Sequence, residues 1–132
     1  MMLAEKGGLP IGAHVCSATP HEVTLLKATL NARFLAPLPQ RLIGDGAYDS
    51  DSLDEDLRDL GVDLIAPHRN NRVKAPTQDG RILRRYQRRW KVERLNAWLQ
   101  NFRRLITRFE RKLANFVGFL HLACALILAR HL

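Results

Sequence analysis

Two short apolar runs with one helical segment between them constrain this chain more than any other feature. Arg41-Leu42-Ile43-Gly44 reads as a short strand aimed at Asp45. Ser52 to Leu60 reads as a helix, and Gly61 supplies its C-terminal stop. Val62 to Ala66 is a second apolar strand. Strand, helix and strand in this order imply a parallel pair joined by a crossover. The expected fold class is therefore α/β, with a small mixed sheet and about four helices.

The flanking segments extend this pattern. Met1 to Ala4 and Leu9 to Cys16 are apolar runs joined through Lys6-Gly7-Gly8, which predicts a hairpin. Thr19-Pro20-His21-Glu22 has the form of a capping box, with Pro at the first helical position. The helix it opens should run to about Phe34 and bury Val23, Leu26 and Leu30. Pro37 and Pro39 then break the chain. Pro67 to Gly80 is polar, basic and turn-rich, an exposed loop. From Arg81 to about Lys112 nothing breaks a helix, and Trp90, Trp98, Leu99, Phe102, Leu105, Ile106 and Phe109 form its apolar stripe. The two tryptophans are expected in the core rather than as stacking platforms. A last helix, Leu113 to about Arg130, is nearly all apolar and should pack across the sheet.

Charge narrows the class of partner. The 132 residues suit one domain with a real core, and the net charge is +8. That charge is unevenly placed. Residues 1–68 hold five Lys/Arg against ten Asp/Glu, a net −5; residues 69–112 hold fifteen against three, a net +12. An acidic half followed by a basic half points to nucleic acid or another anionic surface. Cys16 and Cys124 lack CxxC spacing and a histidine cluster, which argues against zinc and fits a reducing, cytosolic compartment. Lys6 and Gly7-Gly8 interrupt any signal-peptide core in the first ten residues. Leu113 to Ala129 is short for a membrane span and contains Asn115, Gly118 and His121, so no membrane role is expected.

The most pointed signal is Arg84 to Leu105, where one acid, Glu93, stands among eight arginines and lysines. Tyr86, Arg89 and Glu93 follow the spacing Y-x2-R-x3-E. Steps of three and four place them along one helical face. Such a carboxylate suggests a metal-holding acid within a surface that receives a polyanion. The basic side chains placed to contact it are Arg84, Arg85, Arg88, Lys91, Arg94, Arg103 and Arg104. The second candidate acid is Asp45, flanked by Gly44 and Gly46 at the carboxyl end of a strand, where sites in open α/β sheets collect. Asp45 equally suits a turn or cap, and Glu93 an i,i+4 pair with Arg89. Asp49 and Asp51 read only as acids leading the next helix. Taken together, Asp45 and Glu93 are a carboxylate pair of the kind that holds Mg²⁺, and two such ions roughly 3.5–4 Å apart can drive phosphoryl transfer.

These residues carry a resemblance. GLPIGAHVCSATPHEVTLL, RLIGDGAYDSDSLDEDLRDLGVDLIAPHR and RRYQRRWKVERLNAWLQNFRRLITRFER resemble the C-terminal part of the catalytic domain of bacterial insertion-sequence transposases of the DDE type. Their signature around the last catalytic acid is Y-x2-R-x3-E-x6-K/R. The resemblance makes Asp45 the second catalytic Asp and Glu93 the catalytic Glu, both metal ligands, with Tyr86 and Arg89 the accompanying residues. The last basic position falls on Gln100; Arg103 or Arg104, one turn later, can supply the charge. The resemblance implies an RNase H-like fold, two Mg²⁺ or Mn²⁺ ions in a complete site, transposon-end DNA as partner, and a homo-oligomer when active, in the bacterial cytoplasm at the nucleoid.

It also exposes a gap. The family's first catalytic Asp lies on a strand ahead of the pair that opens this chain, and neither Glu5 nor Glu22 matches it. The N-terminal DNA-binding region of the family is absent as well. The chain thus resembles a catalytic domain truncated at its N-terminus, inactive alone, with an upstream polypeptide as the possible source of the first Asp. The alternative is a catalytically dead basic remnant that still grips DNA through Arg81 to Arg111.

Overall fold

The computed structural model describes residues 1–78 and 83–131. The hairpin forms as the apolar runs require: β1 (Met2–Ala4) pairs antiparallel with β2 (Pro10–Ala13). Helix α1 (Glu22–Asn31) follows and buries Leu26, Thr29 and Leu30. The strand–helix–strand pattern is realised by β3 (Arg41–Ile43), α2 (Asp51–Asp59) and β4 (Asp63–Ile65). Strands β3 and β4 pair parallel, with Leu42 opposite Leu64. Gly61 ends α2 at φ +75°, a conformation that side chains with a Cβ resist. Three further helices are α3 (Trp90–Leu99), α4 (Arg103–Ile106) and α5 (Leu113–Ala129). Among the described residues these make five α-helices and two separate two-stranded sheets, not one mixed sheet with four helices.

Two cores organise these elements. Leu3, Leu26, Leu30, Leu53, Leu57, Val62 and Leu64 form the first, between the strands and the α1–α2 pair. Ala13, Leu95, Leu99, Leu120, Ala123, Cys124 and Ile127 form the second, between the hairpin and the α3–α5 pair, with Met2 and Ala4 packed against it. Strand β1 serves both, because successive side chains leave a strand on opposite faces. The apolar last helix packs one face on the hairpin, through Leu120, Ala123, Cys124 and Ile127, while Leu113, Phe119, Leu122 and Leu126 stay exposed, so it is less buried than its composition suggests.

Two sequence expectations are corrected. The first is the unbroken helix from Arg81 to Lys112. Its first residues, Arg81 and Ile82, lie outside the described residues. Beyond them the chain forms a 3-10 turn (Arg84–Arg89), then α3, then a break at Phe102, whose backbone is extended. No Pro or Gly causes this. A straight helix of that span would be roughly 48 Å long, well beyond a small domain. The break instead turns Phe102 and Leu105 onto the second core beside Leu99. Tertiary burial overrides helix propensity here. The expected stripe accordingly ends at Leu105: Ile106 and Phe109 are about two-thirds exposed, and Trp90 is half exposed rather than in the core. The second correction is the capping box. Helix α1 starts at Glu22 with His21 as its N-cap and no side-chain cap bond, so Pro20 precedes the helix. The Thr24 hydroxyl donates to the His21 carbonyl instead (2.7 Å).

Leu95 is fully buried at the centre of the second core. Leu95→Ala should lower stability by about 2–5 kcal/mol, read as a fall in the thermal or urea midpoint.

Candidate acidic site

Asp45 is placed by local backbone constraints. Gly44 closes β3, its N–H donating to the Ile65 carbonyl (2.9 Å). A Cβ at Gly44 would meet the Tyr48 ring at 2.8 Å, so only glycine lets the turn close over that ring. Asp45 then caps a 3-10 turn (Gly46–Tyr48): its Oδ1 accepts from the Ala47 N–H at 2.9 Å. Tyr48 lies beneath, and burial, then Glu22 and Asp45, push its hydroxyl up to about 12. Its Oη stays protonated and donates toward Met1 Sδ (3.7 Å), tying the turn to the start of β1.

Glu93 comes from the other side. Tyr86 and Arg89 sit three residues apart on the 3-10 turn, where i and i+3 eclipse. Arg89 Nη1 accordingly donates to Tyr86 Oη at 2.9 Å. Four residues on, within α3, Glu93 Oε1 accepts from Arg89 Nε (3.1 Å) and Nη2 (2.7 Å). Arg89 Nη1 also lies 3.9 Å from Asp45 Oδ2. One guanidinium thus bridges two carboxylates 48 positions apart in sequence. Its hydrogen bond to Glu93 raises the already high Arg89 pKa, so the bridge stays charged. The steps of three and four expected from the sequence are realised as one 3-10 step and one α step.

The donor set can be tested against a divalent cation. Two partly exposed carboxylates that converge on one positive group are hard oxygen donors of the type Mg²⁺ and Mn²⁺ prefer. They fit as two members of a larger set. Among the described residues no group of three His, Cys, Asp or Glu is placed to hold a metal. Glu5 is taken up by its hairpin turn, accepting from the Leu9 N–H (3.4 Å).

The expected basic residues divide into two groups. Arg84, Arg85, Arg88 and Arg103 are exposed. Lys91 donates to the Lys6 carbonyl and Arg94 to the Gly7 carbonyl, so both clasp the hairpin turn to α3. Arg94 also lies between the Trp90 and Trp98 rings, 4.9 and 4.8 Å from their centroids. Arg104 pairs with the buried Glu110 at 3.2 Å.

Sequence reasoning missed Asp49. Its side chain is 6% exposed and is a hub, not only a helix-leading acid. Oδ1 accepts from His68 Nδ1 (2.9 Å) and Arg72 Nη1 (2.8 Å), and Oδ2 from the Arg69 N–H (2.8 Å). His68 Nε2 accepts from the Thr77 N–H (3.1 Å), so the ring proton belongs on Nδ1. Arg72 also reaches Asp51 (2.7 Å), and Lys74 pairs with the same carboxylate (2.9 Å). The cluster pins the loop after β4 against the start of α2. Burial pushes the Asp49 carboxyl up, but the Arg69 N–H, His68 and Arg72 outweigh it and hold it below the usual range. A depressed carboxylate contributes stability above its unfolded pKa and loses it as pH falls through the folded one. The Arg69 amide should therefore still be protected from exchange at about pH 4, the ordinary carboxylate value, and lose protection only as the pH falls further, measured by hydrogen exchange corrected for intrinsic rate. Asp49→Asn should expose the same amide at neutral pH.

Comparison with known proteins follows the same residues. The family described as "Transposase DDE domain" matches residues 1–128. A protein of Burkholderia cepacia, described as a transposase for insertion sequence element IS402, is 33% identical over 136 residues, covering 96% of this chain and 60% of that protein. One from Brucella ovis, described as a transposase for insertion sequence element IS6501, is 36% identical over 93 residues, covering 67% of each. The chain thus spans about 60% of the length of the first of these relatives. No solved structure matches it.

Proposed function

The chain belongs to the DDE transposase family, and from that premise we propose that it is the later part of a catalytic domain that cuts and joins DNA at insertion-sequence ends. The observation that carries the reading is the convergence of Asp45 and Glu93 on Arg89. In this reading the fold is RNase H-like. Asp45 and Glu93 would hold Mg²⁺ or Mn²⁺, with two ions in a complete site. Bound there, the ions supply an activated attacking oxygen and stabilise the leaving one. Arg89 holds Glu93 in register with Asp45, and Tyr86 fixes the guanidinium plane. The exposed Arg84, Arg85, Arg88 and Arg103 receive DNA phosphates. Lys91 and Arg94 support that surface from the hairpin side, and the exposed Arg104, paired with Glu110, adds to it.

A third carboxylate is needed, and among the described residues no third acid stands with Asp45 and Glu93. On the family pattern, activity requires a homo-oligomer at the bacterial nucleoid. Among the described residues no helix is long and apolar enough to cross a membrane.

Calorimetric titration with Mn²⁺ tests the site. Glu93→Gln and Asp45→Asn should each weaken binding by no less than the about tenfold loss typical of an outer-shell partner. Equal affinity in wild type and both variants would exclude this metal site. DNA binding tests the surface. Four phosphate contacts predict that log affinity falls with log salt at a slope of about −4. Replacing Arg84 and Arg85 together by Ala should flatten that slope by about 2. A flat salt response would rule out the phosphate surface.

A further inference from the structure

A second arginine grips the turn that carries Asp45. Like any helix end, the 3-10 turn Gly46–Tyr48 leaves its last carbonyls short of partners; the Asp49 N–H reaches the Gly46 carbonyl only at 3.4 Å. Arg69, from the loop after β4, supplies the missing donors. Its Nε donates to the Gly46 carbonyl (3.0 Å) and its Nη2 to the Ala47 carbonyl (2.7 Å). Two donors fixed on one planar guanidinium meet two successive carbonyls, a match that a lysine ammonium does not reproduce. The arginine is itself anchored. Its backbone N–H donates to Asp49 Oδ2 (2.8 Å), and His68 and Arg72 hold the other oxygen of that carboxylate.

The Gly46 carbonyl and the Ala47 N–H belong to one peptide group. That group is planar and trans, so its two ends point in opposite directions. Arg69 Nε holds the carbonyl end, and Asp45 Oδ1 accepts from the N–H end at 2.9 Å. Guanidinium, peptide and carboxylate thus form one hydrogen-bonded chain. Positive charge at one end polarises the peptide and strengthens the bond at the other. With Oδ1 held there, Oδ2 is the oxygen that lies toward Arg89 (3.9 Å), the guanidinium that also binds Glu93. We propose that Arg69 is a positioning residue for Asp45: through the Gly46–Ala47 peptide it fixes Oδ1 and leaves Oδ2 to face a divalent cation. Asp49 acts one step further back, by holding the Arg69 backbone. The effect on the cation rests on the metal-site reading above; the clamp on the carboxylate does not. Arg69 acts on a bound cation in two ways, with opposite signs. Its charge repels the cation, and its grip orders a ligand. Removing it tightens binding if charge dominates and weakens binding if positioning does.

Arg69→Gln and Arg69→Lys are compared with the wild-type chain by metal-free hydrogen exchange, by Mn²⁺ calorimetry and by thermal melting. The Ala47 amide should lose protection in both variants, while the Gly44 amide, bonded to the Ile65 carbonyl, keeps it. Mn²⁺ binding should weaken about tenfold in Arg69→Gln. Arg69→Lys keeps the charge and loses the fork, so it should also bind more weakly than wild type. Tighter Mn²⁺ binding in Arg69→Gln, with Arg69→Lys unchanged, would overturn the positioning role and leave Arg69 acting by charge alone. Unchanged Mn²⁺ affinity in both variants would overturn it too, whatever the melting temperature does, and would make Arg69 a staple of the loop. If the wild-type chain takes up no Mn²⁺, the metal site falls, and the Ala47 amide alone decides the clamp: lost protection upholds it and unchanged protection removes it.

Discussion

Strand β1 divides its side chains between two cores, and the rest of the structure depends on that division. Leu3 enters the core of α1, α2 and β4, while Met2 and Ala4 pack against the core of α3 and α5. Without that shared strand, the parallel pair carrying Asp45 and the helix carrying Glu93 would have little to fix their relative position. Tyr48 strengthens the link from beneath Asp45, and the Lys91 and Arg94 contacts strengthen it at the hairpin turn. The two acids meet because two apolar packings share one short, alternating strand.

Charge then operates on a frame set by burial. The acidic first half supplies Asp45, and the basic second half supplies both its counter-ion and Glu93. Arg89 keeps two carboxylates close without leaving them to repel each other. The division among the remaining basic residues is informative. Those next to the hairpin are committed to carbonyls or aromatic rings, which leaves the 3-10 turn and α4 to present open guanidinium groups. A surface built this way holds its acids in place and still offers positive charge to a polyanion.

Much of this was legible in the sequence, and the limits have physical causes. The hairpin, the parallel pair and α2 follow from local periodicity and from Gly61, because each is decided within a few residues. The shared face of Tyr86, Arg89 and Glu93 was legible from spacing, and the place of Asp45 at the turn after β3 from its position. The break at Phe102 was not, since no local residue forces it; only the position of the second core makes bending favourable. Nor was the start of α1, where Thr19 had the right type for a cap but the chain turned inward two residues later. Asp49 escaped for a similar reason: its partners His68, Arg69 and Arg72 lie 19 to 23 positions away. Local pattern shows which residues can act, and long-range packing decides which of them meet.

The central claim is that Asp45 and Glu93 belong to one cation site. Paramagnetic broadening by Mn²⁺ in the amide spectrum of the isotope-labelled chain tests it most directly. The account predicts that the amides of Gly46, Ala47 and Glu93 broaden together at the same low Mn²⁺ concentration. Broadening confined to the acidic face of α2, around Asp54, Glu55 and Asp56, with Ala47 and Glu93 unaffected, would contradict it.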